Sequence, residues 1–287
     1  MSRARRSSET DWIQRAVAVE GVERMEAFFT GNAYASHRHD TYAIGRSLAG
    51  VHDFQYRRGK RRSLPGHTIV LHPDELHDGQ AGAEGGFRYR MIYVEPTLFQ
   101  DALAGRALPF IEHGVSTDPR LLAATDMLLQ PMNVTLDPME QAEALADLAM
   151  ALATVSGARP APASRDFASA RRAREFLHEN ALRVVTLDEL EAITGRDRWS
   201  LTRDFHTFYG TSPYRFLTLR RLDAARRMME AGTPLASVAA ATGFTDQSHL
   251  TRHFGKAFGI APARWLQMLR GPTADHDNRQ RSRFPRL

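Results

Sequence analysis

The 287-residue sequence contains no cysteine. That excludes disulfide bonds, thiolate metal ligands and a cysteine nucleophile, and it fits a reducing compartment. No apolar run comes near the ~20 residues that a membrane span needs. Residues 1–15 are charged and lack the apolar stretch of a signal peptide. A cytoplasmic protein that makes no contact with a membrane is therefore expected. No catalytic triad stands out either. Apolar residues make up 43% of the chain and charged residues 25%, which suffices for two domains with their own cores. The net charge of +5 is unevenly spread: residues 1–160 carry −3, residues 161–270 carry +6 and residues 271–287 carry +2. A basic half is what a nucleic-acid partner requires, although arginine-rich chains also carry basic surface that serves only solubility.

The basic half contains a repeat. Leu201-Thr202-Arg203-Asp204-Phe205 precedes Gly210-Thr211-Ser212-Pro213, and Leu250-Thr251-Arg252-His253-Phe254 precedes Gly259-Ile260-Ala261-Pro262. The two leucines are 49 residues apart, and so are the two prolines. Each copy follows a short apolar-periodic segment ending in Thr-Gly, at Thr194-Gly195 and Thr242-Gly243. A helix, a glycine turn and a second helix with exposed polar residues form a helix-turn-helix. Helices are predicted near 168–180, 187–193, 198–208, 213–231, 235–241, 247–257 and 262–270. Thr186 and Glu189 form a capping box, and Pro213 and Pro262 open helices. Leu187, Leu190 and Ile193 should face Leu201 and Phe205; Leu235, Val238 and Ala239 should face Leu250 and Phe254. The exposed face then holds Arg198, Trp199, Thr202, Arg203 and His206 in one copy, and Asp246, Gln247, Ser248, Thr251, Arg252 and Lys256 in the other. Arginine can bind guanine with two hydrogen bonds, glutamine can bind adenine, and the threonine methyl can meet thymine. A solvated helix face is the plainer alternative; the same Thr-Arg pair at the same place in both copies argues against it. Arg215, Arg220, Arg221, Arg226 and Arg227 lie on the connecting helix, where they can serve solubility or meet phosphates.

The amino-terminal half reads as strands from about Val22 to Val94. Short β-rich runs at Tyr42–Leu48, Val51–Tyr56, His67–Leu71 and Phe87–Val94 alternate with turns, which suits an antiparallel sandwich or small barrel. Asp118-Pro119 and Asp137-Pro138 open helices near 119–130 and 138–155. The second of these can dock on the sheet or pair with a second subunit. Seven of the twelve histidines precede residue 114, among them His37-x-His39, His72 and His77. On a strand, residues i and i+2 point to the same face.

These stretches carry a resemblance. Arg221-Leu-Asp-Ala-Ala225-Arg-Arg-Met228-Met229, Pro234-Leu235-x-x-Val238-Ala239-x-x-x-Gly243-Phe244 and Ser248-x-Leu250-x-Arg252-x-Phe254-x-x-x-Phe258-Gly259-x-x-Pro262 resemble the DNA-binding domain of the AraC/XylS regulators. His37-x-His39, Pro65-Gly66 and Pro73-Asp-Glu-Leu-His77 resemble the two motifs of a cupin barrel. The resemblance implies a cupin-like effector-binding and dimerisation domain (21–155) and an all-α domain of two helix-turn-helix units (167–270); the residues themselves suggest a flexible arm with a basic start (1–20), a Pro-, Gly- and Ala-rich linker (156–166) and a basic tail (271–287). The resemblance further implies that Trp199, Thr202 and Arg203 read one major-groove segment, with the exposed Arg198 a candidate beside them, and that Gln247, Ser248, Thr251 and Arg252 read the next. Asp197 and Asp204 depart from this by placing negative charge in or beside the first reading helix. His37, His39, Tyr42, His77, Arg90 and Tyr93 are candidate contacts for a small effector. Only Asp40 stands near the first histidine pair where a cupin metal site wants a carboxylate several residues on. The expectation is thus histidines without a metal, and no cofactor. The rivals are a metal-dependent cupin enzyme and an architectural DNA binder without an effector. The expected partners are promoter DNA, a small molecule, a second copy of the chain and RNA polymerase. The sequence leaves activation and repression both open.

Overall fold

A computed structural model describes residues 10–17, 21–157 and 162–269. The strands are β1 (Trp12–Arg15), β2 (Val22–Phe29), β3 (Asn32–His37), β4 (Tyr42–Gly50), β5 (His52–Tyr56), β6 (Gly59–Ser63), β7 (Thr68–Leu71), β8 (His77–Ala81), β9 (Phe87–Val94) and the short β10 (Val115–Ser116). They form two sheets, ordered β1-β2-β9-β4-β7-β10 and β3-β8-β5-β6, and every named pairing is antiparallel. Strand β9 shows how the period of two divides the core. Phe87, Tyr89 and Met91 join Phe29, Phe54 and Tyr56 between the sheets, while Ile92 and Val94 turn outward to meet helices.

Those helices are α1 (Pro96–Leu103), α2 (Pro119–Asp126) and α3 (Pro138–Ser156). The Asp118 side chain accepts from the Arg120 amide, and Asp137 accepts from the Met139 and Glu140 amides, so both predicted caps form. Helix α2 ends at Asp126, short of the expected 130. Pro131 disfavours helical backbone at the residue before it, and the Leu129 carbonyl accepts from the Arg90 guanidinium. Leu145, Leu148, Ala149 and Leu152 of α3 are buried in one cluster with α1, α2 and the outward face of the six-stranded sheet. A fully buried leucine contributes about 1.5–3 kcal/mol. These four residues are therefore spent within the domain, while Met139 and Met150 of the same helix stay exposed.

The expected flexible arm needs correction, because Trp12–Arg15 forms the edge strand β1, paired with Met25–Phe28 of β2. Ile13 is buried there, and the Arg88 guanidinium covers the Trp12 ring. The rest of that arm through residue 9, residues 18–20, the linker stretch 158–161 and the tail 271–287 lie outside the described residues. Gly157 ends α3 in left-handed backbone, where the linker was expected to begin.

The helical domain comprises α4 (Phe167–Glu179), α5 (Leu187–Thr194), α6 (Arg198–Tyr209), α7 (Pro213–Glu230), α8 (Leu235–Ala241), α9 (Gln247–Phe258) and α10 (Pro262–Leu269). The Thr186–Glu189 capping box is present. In the first unit Leu190, Leu201, Phe205 and Phe208 share one core. Leu187 and Ile193 do not join it as expected, and remain 51% and 36% exposed. Helix α5 has only eight residues, and its buried positions are Leu190 and Thr194, one turn apart. In the second unit Val238, Ala239, Leu250 and Phe254 are buried, in an apolar cluster continuous with the space between the sheets. Among the described residues no helix is long and apolar enough to cross a membrane.

Candidate functional site

Helices α6 and α9 are set in the same way. Asp197 caps α6 by accepting from the Trp199 and Ser200 amides, and Asp246 caps α9 by accepting from the His249 amide. Buried Leu201 and Phe205, and likewise Leu250 and Phe254, fix which face turns outward. That face exposes Arg198, Trp199 and Arg203 on α6 and Gln247, Ser248 and Arg252 on α9; Thr202 and Thr251 are half-buried. Trp199 is 71% exposed, which is unusual for so large a ring and leaves it free for a partner. The Thr202 hydroxyl donates to the Arg198 carbonyl, so its methyl and oxygen lone pairs remain for a base edge. Asp204 does not spoil this surface. It is fully buried and held by Arg196 at 2.8–2.9 Å, while Asp197 is spent on its cap. Of the two charges expected at the first reading helix, that of Asp204 is therefore turned inward, while Asp197 stays exposed at the helix start.

The connector α7 behaves differently from expectation. Arg215 pairs with Asp74 at 2.9 Å, and Arg226 pairs with Glu23 at 2.7 Å. Arg220 reaches Glu95 at 2.7 Å, Asp40 at 2.9 Å and Asp223 at 3.1 Å. Arg221 donates to the carbonyls of Ala181 and Arg183. These four arginines are engaged within the molecule, three of them with the β domain. Arg174–Glu95, Arg15–Glu230 and Arg264–Asp11 add further cross-domain pairs. Burial raises the Glu95 carboxyl, but Arg220 and Arg174 outweigh it and hold it below its usual range. Burial pushes Asp40 up to about 6, although Arg220 works against it.

Between the domains lies a cavity of about 1000 Å³. Val22, Met25, Leu219, Phe258 and Trp265 give it apolar wall, and Arg15, Glu23, Arg220, Asp223, Arg226 and Arg227 give it charge. Of the expected effector contacts, His37, His39 and Tyr93 line it. Tyr42 does not; it is core, and its hydroxyl donates to the Pro109 carbonyl. Arg90 is bonded to Glu26 and borders a separate, smaller recess beside Asp126 and Gln130. His77 stands behind His37 and His39, with ring centroids 4.3 and 4.8 Å away. The charged wall was missed in the sequence. Its one signal is the Arg220-x-x-Asp223-x-x-Arg226 spacing, which puts three charges on one helix face.

The histidines occupy a built environment. His37 on β3 pairs in register with His77 on β8. All three rings are buried, and one nitrogen from each lies within 4.8 Å of the others. The Nδ1 atoms of His37, His39 and His77 donate to the carbonyls of Ala35, Thr41 and Glu75 at 2.9, 2.8 and 2.9 Å. Burial pushes His37 down to about 4 and His39 to about 3, and His77 well below the usual imidazole range. Strand β3 and the residue after it also meet the second reading unit: the Ala35 amide donates to the Gly259 carbonyl at 2.9 Å, and the Arg38 amide to that of Lys256 at 3.3 Å.

Comparison with known proteins matches this architecture. Residues 21–152 match the AraC-like ligand binding domain family, and residues 190–268 match a helix-turn-helix domain family. The chain is 25% identical over 229 residues to the uncharacterized HTH-type transcriptional regulator YbfI of Bacillus subtilis, spanning 76% of this chain and 81% of that protein. A 72-residue stretch is 38% identical to the HTH-type transcriptional activator RhaS of Pectobacterium carotovorum, spanning 23% of this chain and 26% of that one. Among solved structures, ToxT from Vibrio cholerae superposes with a TM-score of 0.62 at 12% identity, over 91% of this chain and 100% of that one. A ToxT structure with bound unsaturated fatty acid superposes with the same score at 11% identity, over 94% of this chain and 100% of that one. At such identity the likeness is one of fold.

Proposed function

The chain is a member of the AraC family of transcription regulators, with an AraC-like ligand-binding domain ahead of a helix-turn-helix domain, and from this premise we propose how it reads DNA and what steers it. Arg198, Trp199, Thr202 and Arg203 enter one major-groove segment of a promoter. Gln247, Ser248, Thr251 and Arg252 enter the next, about 34 Å along the duplex. The observation that carries this reading is the matched pair α6 and α9, each aspartate-capped, each anchored by Leu and Phe, each exposing a polar face. The protein acts in the cytoplasm as a regulator rather than an enzyme, as a homodimer and beside RNA polymerase. Its effector occupies the interdomain cavity, where His37, His39 and Tyr93 meet the charged wall of α7. A molecule there touches both domains at once. It can therefore shift the balance between states by binding one of them better.

The test is selection of bound sequences from a random DNA pool by the full-length protein. Two recurring blocks about one helical turn apart are expected. Absence of enrichment from a folded protein, with binding that depends steeply on salt and hardly on sequence, would replace this reading with an architectural DNA binder.

A further inference from the structure

Residues 57–62 run Arg-Arg-Gly-Lys-Arg-Arg, so five of six positions are cationic in a half of the chain that carries −3. They form the turn of the β5–β6 hairpin. Tyr56 pairs with Gly59, which leaves a loop of two residues, Arg57 and Arg58. Such loops need positive φ and favour asparagine and glycine. Here Arg57 takes φ 55°, a conformation that only glycine adopts freely, and the glycine stands one place past the loop. The turn is thus built against local preference, and the result is two guanidinium groups at its tip. Few carboxylates answer this charge. Asp53 holds Lys60 and Arg62, each at 2.8 Å, and Glu75 meets Arg57 at 3.7 Å. Among the described residues Arg58 and Arg61 form no ion pair, and the buried Nε of Arg61 has no hydrogen-bond partner.

The place of the hairpin matters as much as its charge. At one end of the four-stranded sheet His37 pairs with His77, His77 with Tyr56, and Tyr56 with Gly59. That end faces the helical domain. The Arg38 amide, just past β3, donates to the Lys256 carbonyl of α9 at 3.3 Å. The turn into β8 sets Pro73 against Gly210, which ends α6, and Asp74 against Arg215 at 2.9 Å. The next element along the row is the basic loop, about 10 Å from β3 at a strand spacing of about 4.8 Å. The order along this end is therefore α9, the α6–α7 junction, then Arg57 and Arg58.

We propose that the β5–β6 hairpin is a third DNA-binding element, which grips backbone phosphates beyond the α6 block, on the side away from the α9 block. This rests on the reading of α6 and α9 as the helices that enter the major groove. Arg58 and Arg61 supply the two contacts, since their charge is not spent within the molecule. Phosphate contacts fix register and orientation without reading bases. The hairpin thus makes the β domain a direct partner of the duplex.

Fluorescence anisotropy of the full-length protein on a duplex selected from the random pool tests this. The α6 block is the one whose base preference changes in Arg203→Ala. Each phosphate neutralised adds about 0.9 to the steepness of log K against log salt, so the Arg58→Ala/Arg61→Ala variant should lose about 1.8 of slope. Raising salt from about 50 to about 200 mM should then weaken the wild type roughly twelvefold more than the variant. Tm and the ratio of selected-site to random-DNA affinity should not move, because the contacts carry no sequence information. For the wild type, trimming the duplex at the α6 block should remove the same increment of slope, and trimming it at the α9 block should not. A variant slope equal to the wild type's overturns the proposal, as does a wild-type loss that is the same from either trimmed end. A normal two-block site bound without dependence on the hairpin removes the hairpin alone, whereas absence of any selected site removes the underlying reading with it.

Discussion

Arg220 should be the costliest single charge to remove from the domain interface. Its side chain is 10% exposed and lies within 3.1 Å of three carboxylates, on Asp40, Glu95 and Asp223. A unit charge pair at about 4 Å contributes about 4 kcal/mol at an effective dielectric of 20. Desolvation of the guanidinium offsets much of that for the wild type. In Arg220→Ala the offset works the other way, because three partly buried carboxylates then face one another without this cation. Removing one member of such a buried set costs about 3–5 kcal/mol. Urea unfolding of the full chain, followed by far-UV circular dichroism, measures this directly. The companion variant Glu95→Gln relieves the repulsion, so Arg220→Ala should cost less in its background. The double-mutant coupling should exceed about 1 kcal/mol. A loss under about 0.5 kcal/mol, typical of a plain surface change, together with zero coupling, would refute the reasoning. It would mean that the α7–β domain contact is not the resting arrangement in solution.

Three further outcomes are expected. Arg252→Ala should cost about 1–3 kcal/mol on the selected site and less on random DNA; an unchanged ratio of the two affinities would remove it from base readout. Gly259→Ala should destabilise more than Gly195→Ala. Both glycines have left-handed backbone (φ 70° and 67°), which costs any alanine about 1–3 kcal/mol. Only at Gly259 would the new methyl also sit 2.7 Å from the Ala35 carbonyl and from His37 Nδ1, so equal losses by thermal melt would deny the β3–α9 contact. His72 should make the fold acid-sensitive. The Ile111 amide donates to its Nε2, its Nδ1 meets the Tyr56 hydroxyl, and burial pushes it down to about 3. Between pH 6.5 and about 3 the unfolded chain binds a proton that the fold refuses, so stability falls as pH falls, by up to about 1.4 kcal/mol per unit. Urea curves at pH 7 and pH 5 should show a smaller drop for His72→Gln than for the wild type; equal drops would refute the assignment.

The sequence was most legible where structure follows from neighbours in the chain. Asp118, Asp137 and Thr186 announced their helices through bonds spanning two or three residues. The reading faces of α6 and α9 were legible because the repeat fixed both the apolar anchors and the polar positions between them. Failures came where the partner was distant. Nothing in residues 1–20 says that Trp12–Arg15 will meet Met25–Phe28, since an edge strand of four residues lacks a strong period of its own. Leu187 and Ile193 fit the apolar pattern but had no facing surface left on so short a helix. Tyr42 looked like a pocket residue because a tyrosine on a strand is equally suited to core, and only the Pro109 carbonyl, 67 residues away, decides it.

The connector arginines show why charge is the hardest of these signals to interpret. Residues 161–270 carry +6, and the excess was read as a surface for phosphate. Yet Arg215, Arg220 and Arg226 are neutralised by Asp74, Asp40, Glu95 and Glu23, acidic residues of the half that carries −3. The same two numbers thus describe two complementary faces within one chain as well as one face complementary to DNA. Sequence cannot separate these readings, because a guanidinium serves a carboxylate and a phosphate with the same forked geometry. Burial separates them: Arg220 and Arg226 are largely withdrawn from solvent, whereas Arg198, Arg203 and Arg252 are not. In this arrangement Arg198, Arg203 and Arg252 offer their charge to DNA from the reading helices themselves. Arg215, Arg220 and Arg226 of α7 become available only if the domains part. An effector that opens the interface would then raise the salt dependence of DNA binding as well as its affinity, by about one unit of slope for each additional phosphate neutralised. Comparing log K against log salt for wild-type protein and for Glu95→Gln, which weakens the interface, would measure that change. A steeper slope for the variant is the expected result, and identical slopes would show that Arg215, Arg220 and Arg226 never reach DNA.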